Sequence, residues 1–393
     1  MPVKQNAAQT ELDALSAAPL EAQRAAGYAH TLAEILQQPS TWRETARALA
    51  GSGVLDETLQ GGVRSIVLTG SGSSVYAGEA IAPALQRSTG VPTLAIPAGT
   101  LLTHWREVLP ADKGVLVSIA RSGDSPESCG AVSRLLTHRP DVRHVVLTCN
   151  AQGQLVTRYR DDERVEAVVL AERTNDRSLV MTSSFSNLML AGALLADATI
   201  GADAVESVAN AAETVFGEHA DDIARLARGD VRRVLYLGSG GGVGAARECA
   251  LKMLEMTGGR VTTMAESFLG LRHGPMANVD AHTLIVAFLS TDPVVRAYET
   301  DLLAELAAKG LGMARIVVGA DVPAMAGDSD DVAIELPMLR DVGDTLALLP
   351  AVVVGQLLAF FRCLALGFAP DTPSQGVLTR VVGEFVMHSE DAP

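Results

Sequence analysis

The sequence predicts an α/β chain built from two copies of one unit of parallel strands covered by helices, and three observations carry that prediction. First, residues 65–78 (SIVLTGSGSSVYAG) and 233–246 (RVLYLGSGGGVGAA) both run from a β-branched apolar strand into a Gly/Ser loop and then a small-residue helix. Second, GVLVSIARSGDSPES (114–128) is echoed by HTLIVAFLSTDPVVR (282–296), and VRHVVLTCNAQG (142–153) by MARIVVGADVPA (313–324), the self-similarity of a duplicated unit. Third, the 48% apolar content comes mostly from Ala, Leu and Val with only 4% aromatic residues, a mixture suited to parallel strands buried on both faces.

The elements follow in order. Residues 1–50 read as helical, with Glu34, Ile35 and Leu36 leading through Gln37-Gln38-Pro39-Ser40 into a second helix from Thr41, packed on the first unit. That unit closes near residue 200 with the helix start Met181-Thr182-Ser183-Ser184 and an apolar helix. A polar–apolar helical pattern over 201–230 crosses to the second unit. After Gly244, AARECALKMLEMTGG reads as a helix with Ala245, Cys249, Met253 and Met256 spaced for burial. A strand-like run from Arg260 to Met264 and an Arg272-His273-Gly274-Pro275 turn follow. The longest apolar stretch, Leu346 to Phe361, contains Pro350 and Gln356 and reads as a buried helix. The tail is loop-like from Pro370 through Gly376, and VLTRVVGEFVMH after it reads as a last helix or strand. The expected division is 1–50, a helical segment; 51–200 and 201–370, the two α/β domains; and 371–393, a tail.

Composition excludes several classes of function. A net charge of −15 argues against a general nucleic-acid or acidic-membrane partner. The start lacks a basic segment followed by an apolar core, and no uninterrupted apolar run approaches a membrane span. Cys129, Cys149, Cys249 and Cys363 show no CxxC spacing and read as small buried hydrophobes in a reducing cytoplasm. No metal and no cofactor are expected.

The chemistry begins with the first copy's loops, Gly70-Ser71-Gly72-Ser73-Ser74 and Arg121-Ser122-Gly123-Asp124-Ser125. A Gly/Ser loop at a helix start aims backbone N–H groups at one spot, with the positive helix end behind them. Gly72, Ser73, Ser74, Ser122, Gly123 and Ser125 therefore form a candidate phosphate cradle. Neither copy ends in the Gly-Lys-Ser/Thr of a nucleoside-triphosphate loop, and Gly240 to Gly244 fits the dinucleotide fingerprint poorly. Taken singly, either loop also reads as a tight βα turn; two serine-rich loops in one half favour phosphate. In the second copy, Lys252 and Glu255 stand one helical turn apart, which on spacing alone equally describes a surface ion pair. His273, in its Gly/Pro turn, reads either as a hydrogen-bonding loop residue or as an acid–base group.

Together the doubled loop, ARSGDSPES, ALKMLEMTGG and AESFLGLRHGP resemble the sugar isomerase (SIS) domain family, including the isomerase half of glucosamine-6-phosphate synthase. GLRHGP and PDTPSQGVLTRVV resemble most the AgaS-type proteins of amino-sugar catabolism, described as tagatose-6-phosphate ketose/aldose isomerases or galactosamine-6-phosphate deaminases. The resemblance spans about residues 45–385. It implies tandem SIS domains, each a flavodoxin-like or Rossmann-like three-layer sandwich. It places the phosphate on Ser73, Ser74, Ser122 and Ser125, the enediol base on Glu255 with Lys252 beside it, and the ring-opening histidine on His273. In this family that histidine comes from the neighbouring subunit, so a homodimer with its active site at the subunit interface is implied. Further substrate contacts are expected from Arg121, Thr182, Ser183 and Arg380.

Two departures from the synthase stand out. The chain opens Met1-Pro2, without an amino-terminal cysteine glutaminase, which favours the catabolic direction. Where the synthase has a lysine near its carboxyl terminus, this chain offers Leu378 or Arg380, and arginine holds an oxyanion but does not readily shuttle protons. Ala120 also replaces one family hydroxyl. The expected function is conversion of galactosamine 6-phosphate or glucosamine 6-phosphate to the ketose 6-phosphate and ammonia. The alternatives are isomerisation of a neutral sugar phosphate such as tagatose 6-phosphate, and a non-catalytic phosphosugar sensor. Glu255 and His273, with no basic DNA-binding head in residues 1–50, weigh against the sensor.

Overall fold

The computed structural model describes residues 10–324, 330–373, 376–381 and 383–388. Among the described residues ten strands form two five-stranded sheets, and every pairing is parallel. The first comprises β1 (Ser65–Gly70), β2 (Thr93–Pro97), β3 (Gly114–Ala120), β4 (Arg143–Thr148) and β5 (Val165–Val169), in the order β2-β1-β3-β4-β5. The second comprises β6 (Arg233–Gly238), β7 (Thr262–Ser267), β8 (Thr283–Phe288), β9 (Ala314–Gly319) and β10 (Val332–Glu335), in the order β10-β9-β8-β6-β7. The two orders are the same doubly wound order, in which ligands bind beyond the strands' carboxyl ends at the point where the order reverses.

Register refines the sequence echo by one residue. β1 pairs Ser65 with Gly114, whereas β6 pairs the equivalent Arg233 with Thr283, one position beyond the echo's His282. The central strands β1, β3 and β8 are buried along their whole length, as the continuous apolar runs require.

The helices that position the site are α1 (Ala29–Leu36), α2 (Gln38–Leu49), α3 (Ser73–Thr89), α4 (Pro126–His138), α5 (Ser183–Ala196), α6 (Ala202–Thr214), α7 (Gly242–Met256), α8 (Pro293–Ala308) and α9 (Asp344–Ala365). The amino-terminal region is helical as expected, although α2 begins at Gln38 and not Thr41, because Pro39 fits the first turn, where its missing N–H costs nothing. Trp42 Nε1 on α2 donates to Ser186 Oγ on α5 at 2.9 Å, both residues fully buried. α9 is the one helix among the described residues long and apolar enough to cross a membrane, but it is almost wholly buried against α6 and α7 in the core. Its Gln356 is satisfied by Gln38 Nε2 and the Thr182 carbonyl. The four cysteines are free and buried.

α3 and α7, the helices that follow the two Gly/Ser loops, pack against each other. A Cβ at Gly244 would lie 2.7 Å from both Ala80 N and Tyr76 O, and one at Gly241 would lie 2.4 Å from Ala80 O. Glycine is required at both positions by this close approach.

The tail departs from expectation. Its described residues beyond Gly376 form neither helix nor strand. Val377 is 85% and Val386 72% exposed, so the apolar side chains share no buried face to hold regular structure, and Gly376 turns the chain at φ +89. The segment instead lies along the first domain, where Arg134 on α4 donates to the His388 carbonyl.

Candidate active site

One cleft collects residues from three distant parts of the chain. Ser71 to Ser74, Ala120 to Ser122, Ser125 and Ser128 come from the first domain, Leu251, Lys252 and Glu255 from the second, and Leu378 to Arg380 from the tail; Leu179 and Met181 complete the wall. It lies beyond the carboxyl ends of β1 and β3, where the strand order reverses.

The first loop leaves β1 at Gly70, where a Cβ would sit 2.5 Å from Ser74 Cβ and 2.8 Å from the Ile119 carbonyl. Gly72 takes φ +58 to start α3. Ser73 and Ser74 therefore occupy the first turn of a 17-residue helix whose N-terminus faces the cleft, where its dipole favours an anion. The second loop is braced from beneath: Asn150 Nδ2 donates to the Ser122 carbonyl at 2.8 Å, and Gln154 N–H to Asp124 Oδ1 at 3.0 Å. Gly123 is part of this brace and does not line the cleft. Its left-handed φ of +72 lets Gly153 approach to 3.4 Å of where a Cβ would be.

α7 brings the charge. Lys252 is buried, and its Nζ lies 3.1 Å from Ser73 Oγ, 2.5 Å from Glu255 Oε2 and 3.4 Å from Glu248 Oε1. The surface ion pair allowed by the spacing is thus an internal one. Burial alone would push the Lys252 ammonium down, but Glu248 and Glu255 hold it above its ordinary value. Glu248 is fully buried, and burial raises its carboxyl to about 7 against the pull of Lys252. Glu255 keeps partial contact with solvent on the cleft wall.

Arg121 is the second cation of the cleft. Its guanidinium donates to the carbonyls of Ser178 (3.2 Å) and Leu179 (3.0 Å), and burial, then Arg380, lowers its pKa, opposed by Asp176, Glu34 and Glu255. Behind it, Glu34 on α1 accepts from the N–H groups of Arg177 and Ser178 and is raised to about 7 by burial and by Asp176.

Besides Gly123, three expected residues lie outside the cleft. Thr182 and Ser183 are fully buried and do not line the cleft. The Thr182 N–H donates to Asp176 and Ser183 Oγ accepts from Gln37 Nε2, so this corner is spent on holding α5. His273 is exposed and absent from its own chain's cleft. Arg380 does reach the cleft, and also donates to Asn175 Oδ1. Sequence reasoning missed Ser71, Ser128, Thr379 and Glu248. Of these, Ser71 stood in the Gly/Ser loop already singled out, and Glu248 carried a signal in its i,i+4 spacing to Lys252.

The arrangement suits an anionic handle gripped by hydroxyls and a helix end, with a carboxylate and an ammonium paired one turn away. No family model matches the chain. A Streptomyces coelicolor protein, provisionally described as D-galactosamine-6-phosphate deaminase AgaS, is 40% identical over 92% of this chain and 95% of its own length. D-galactosamine-6-phosphate deaminase AgaS of Escherichia coli O157:H7 is 36% identical over 90% of this chain and 94% of its own. The crystal structure of tagatose-6-phosphate ketose/aldose isomerase from Escherichia coli superposes with a TM-score of 0.84 at 32% identity, covering 92% and 97% of the two chains.

Proposed function

The chain belongs to the AgaS family of tandem sugar isomerase domains, and we propose that it converts D-galactosamine 6-phosphate and water to the ketose 6-phosphate and ammonia. The observation that carries the reading is the joint cleft, in which a phosphate-type cradle faces the Lys252–Glu255 pair across the domain boundary. The names of the 40% and 36% identical relatives support the galacto substrate.

The residues divide the work. Ser73, Ser74, Ser122 and Ser125 hold the 6-phosphate, whose binding energy fixes the reacting carbons. Ring opening needs a proton at the ring oxygen and removal of one from the anomeric hydroxyl, work suited to an imidazole. His273 is assigned it from the partner subunit of a homodimer, because its own cleft lacks it. Glu255 then takes the proton from C2 and returns it to C1, passing through an enolamine. Lys252, held protonated between two carboxylates, stabilises the oxyanion developing at O1. Water adds to the resulting C2 imine and ammonia leaves, giving the ketone. The domain division given by the sequence places the cradle in 51–200 and the base in 201–370, and the cytoplasm is the proposed compartment.

The test is ammonia release from galactosamine 6-phosphate and, separately, from glucosamine 6-phosphate, with the ketose phosphate assayed in parallel. Ammonia from the galacto sugar in excess of the gluco sugar is expected. The solved Escherichia coli relative is a tagatose-6-phosphate ketose/aldose isomerase, which favours a second reading, isomerisation of tagatose 6-phosphate, and turnover of that sugar without ammonia from either amine would establish it instead.

A further inference from the structure

The tail wall of the cleft, Leu378 to Arg380, lacks secondary structure and is mostly exposed. It is held from its own side by Arg380 on Asn175 Oδ1 and further along by Arg134 on the His388 carbonyl. The described segment before it carries one side chain with a dense set of bonds, Asp371. Its Oδ1 accepts from Thr31 N–H and Thr31 Oγ1, both at 2.7 Å, and its Oδ2 from His30 N–H at 3.2 Å. These donors belong to the first turn of α1, which has no capping side chain of its own, so a carboxylate some 340 residues away satisfies its orphan N–H groups and meets its positive end. The Asp371 backbone is tied as well: its N–H donates to the Gly27 carbonyl at 2.8 Å, and its carbonyl accepts from the Leu179 N–H at 3.1 Å. Leu179 itself lines the cleft, and its carbonyl accepts from Arg121. Just upstream, a Cβ at Gly27 would fall 2.5 Å from Ala369 Cβ, so the chains are in close contact there.

We propose that Asp371 is a positioning residue for the deamination: clamped to the start of α1, it sets the tail segment so that Arg380 reaches the sugar. The proposal rests on the phosphosugar reading of the cleft. Asp371 does not line the cleft and acts through Arg380.

A double-mutant cycle tests it. Asp371→Ala and Arg380→Ala are each expected to lower kcat/KM by about tenfold or more, while the double variant falls no further than Arg380→Ala alone, because a residue that acts through another shows no separate effect. Losses that multiply would overturn the proposal. Thr31→Val, which removes one of the three donors, is expected to give a smaller fall of the same kind, and Asp371→Asn a partial rescue relative to alanine. A second readout needs no turnover. Arg380 is the sole Lys or Arg after Arg362, so tryptic release of residues 381–393, followed by mass spectrometry, reports freedom of the tail. Faster release in folded Asp371→Ala than in wild type is expected, and equal rates would refute the clamp even if no amino-sugar phosphate proved to be the substrate.

Discussion

The two βα corners of this molecule share a strand order and a Gly/Ser opening, yet they use their donors in opposite ways. In the first copy Ser71, Ser73, Ser74, Ser122 and Ser125 line a cleft that also holds Lys252 and Arg121. In the second, the donors of the equivalent loop are consumed by the protein's own carboxylates. Ser290 Oγ and both Thr291 donors bind Asp344 at the start of α9, and the Ser290 N–H donates to Glu299 on α8 at 2.8 Å. Burial raises the Glu299 carboxyl, opposed by bonds from Ser239 and Ser290. The second corner carries its anion internally; the first leaves room for one to be brought. The glycines diverge only further along: Gly72 and its counterpart Gly240 both take a positive φ with no atom nearer than 4.0 Å to where a Cβ would be, whereas Gly241 and Gly244 of the second copy serve the approach of α7 to α3.

The sharpest way to break this contrast is at Glu255, the group the second copy lends to the first. Glu255→Gln is expected to cut turnover about a thousandfold, within the range for removal of a general base, while calorimetry shows phosphosugar binding retained. Undiminished turnover would remove the base assignment. Mixing Glu255→Gln with His273→Asn chains then tests the shared site. If each cleft of a two-fold dimer takes its histidine from the partner, random re-association makes half the dimers mixed with one intact cleft each, about a quarter of wild-type activity. Mixtures as inactive as their parents would refute a cleft that takes its histidine from the partner subunit, and an active His273→Asn parent would place His273 outside the reaction.

A contrast in stability comes next. On β4 His144 is buried with neither ring nitrogen hydrogen-bonded, while its counterpart on β9, Arg315, is paired with Asp331. Burial, with Arg164 nearby, lowers His144 to about 4 from an ordinary 6.5. The unfolded chain takes up that proton first, so stability should fall as pH drops from 6.5 to 4, by up to roughly 3 kcal/mol. Glu34 and Glu248, raised to about 7, act in the opposite sense, gaining stability as pH falls from 7 toward 4.5. The difference in denaturation midpoints between wild type and His144→Leu isolates the histidine, and a difference that does not vary with pH would refute its neutral burial.

Smaller effects separate the two corners directly. Gly244→Ala should cost about 1–3 kcal/mol of stability from overpacking between α3 and α7, read by urea denaturation. Asp344→Ala should cost about 1–3 kcal/mol by stranding the Ser290 and Thr291 donors, with KM unchanged. Ser122→Ala should do the reverse, raising KM about tenfold, the equivalent of one lost charge-assisted hydrogen bond, with an unchanged denaturation midpoint. A KM effect at Asp344 matching that at Ser122 would erase the distinction between a filled corner and an open one.

Much of this was legible in the chain. Duplication, parallel sheets, the buried α9 and the serine loops follow from local patterns: β-branched runs, glycine where a helix must start under a tight turn, and apolar spacing. The alternatives left open at Lys252 and Glu255 were not resolvable there, because spacing places two side chains on a helix without saying what covers them. Packing of α7 on α3 decided it by burying Lys252 against Ser73, 179 residues away. The same long-range packing turned Thr182 and Ser183 inward to Gln37 and Asp176, removed His273 from its own cleft, left the tail without the regular structure its apolar residues suggested, and pinned it through Asp371. Sequence fixes what each segment can form, because those choices rest on local sterics and hydrophobic period. Which hydroxyls stay open and which charges are buried depends on contacts across the whole chain, and only the tertiary structure decides them.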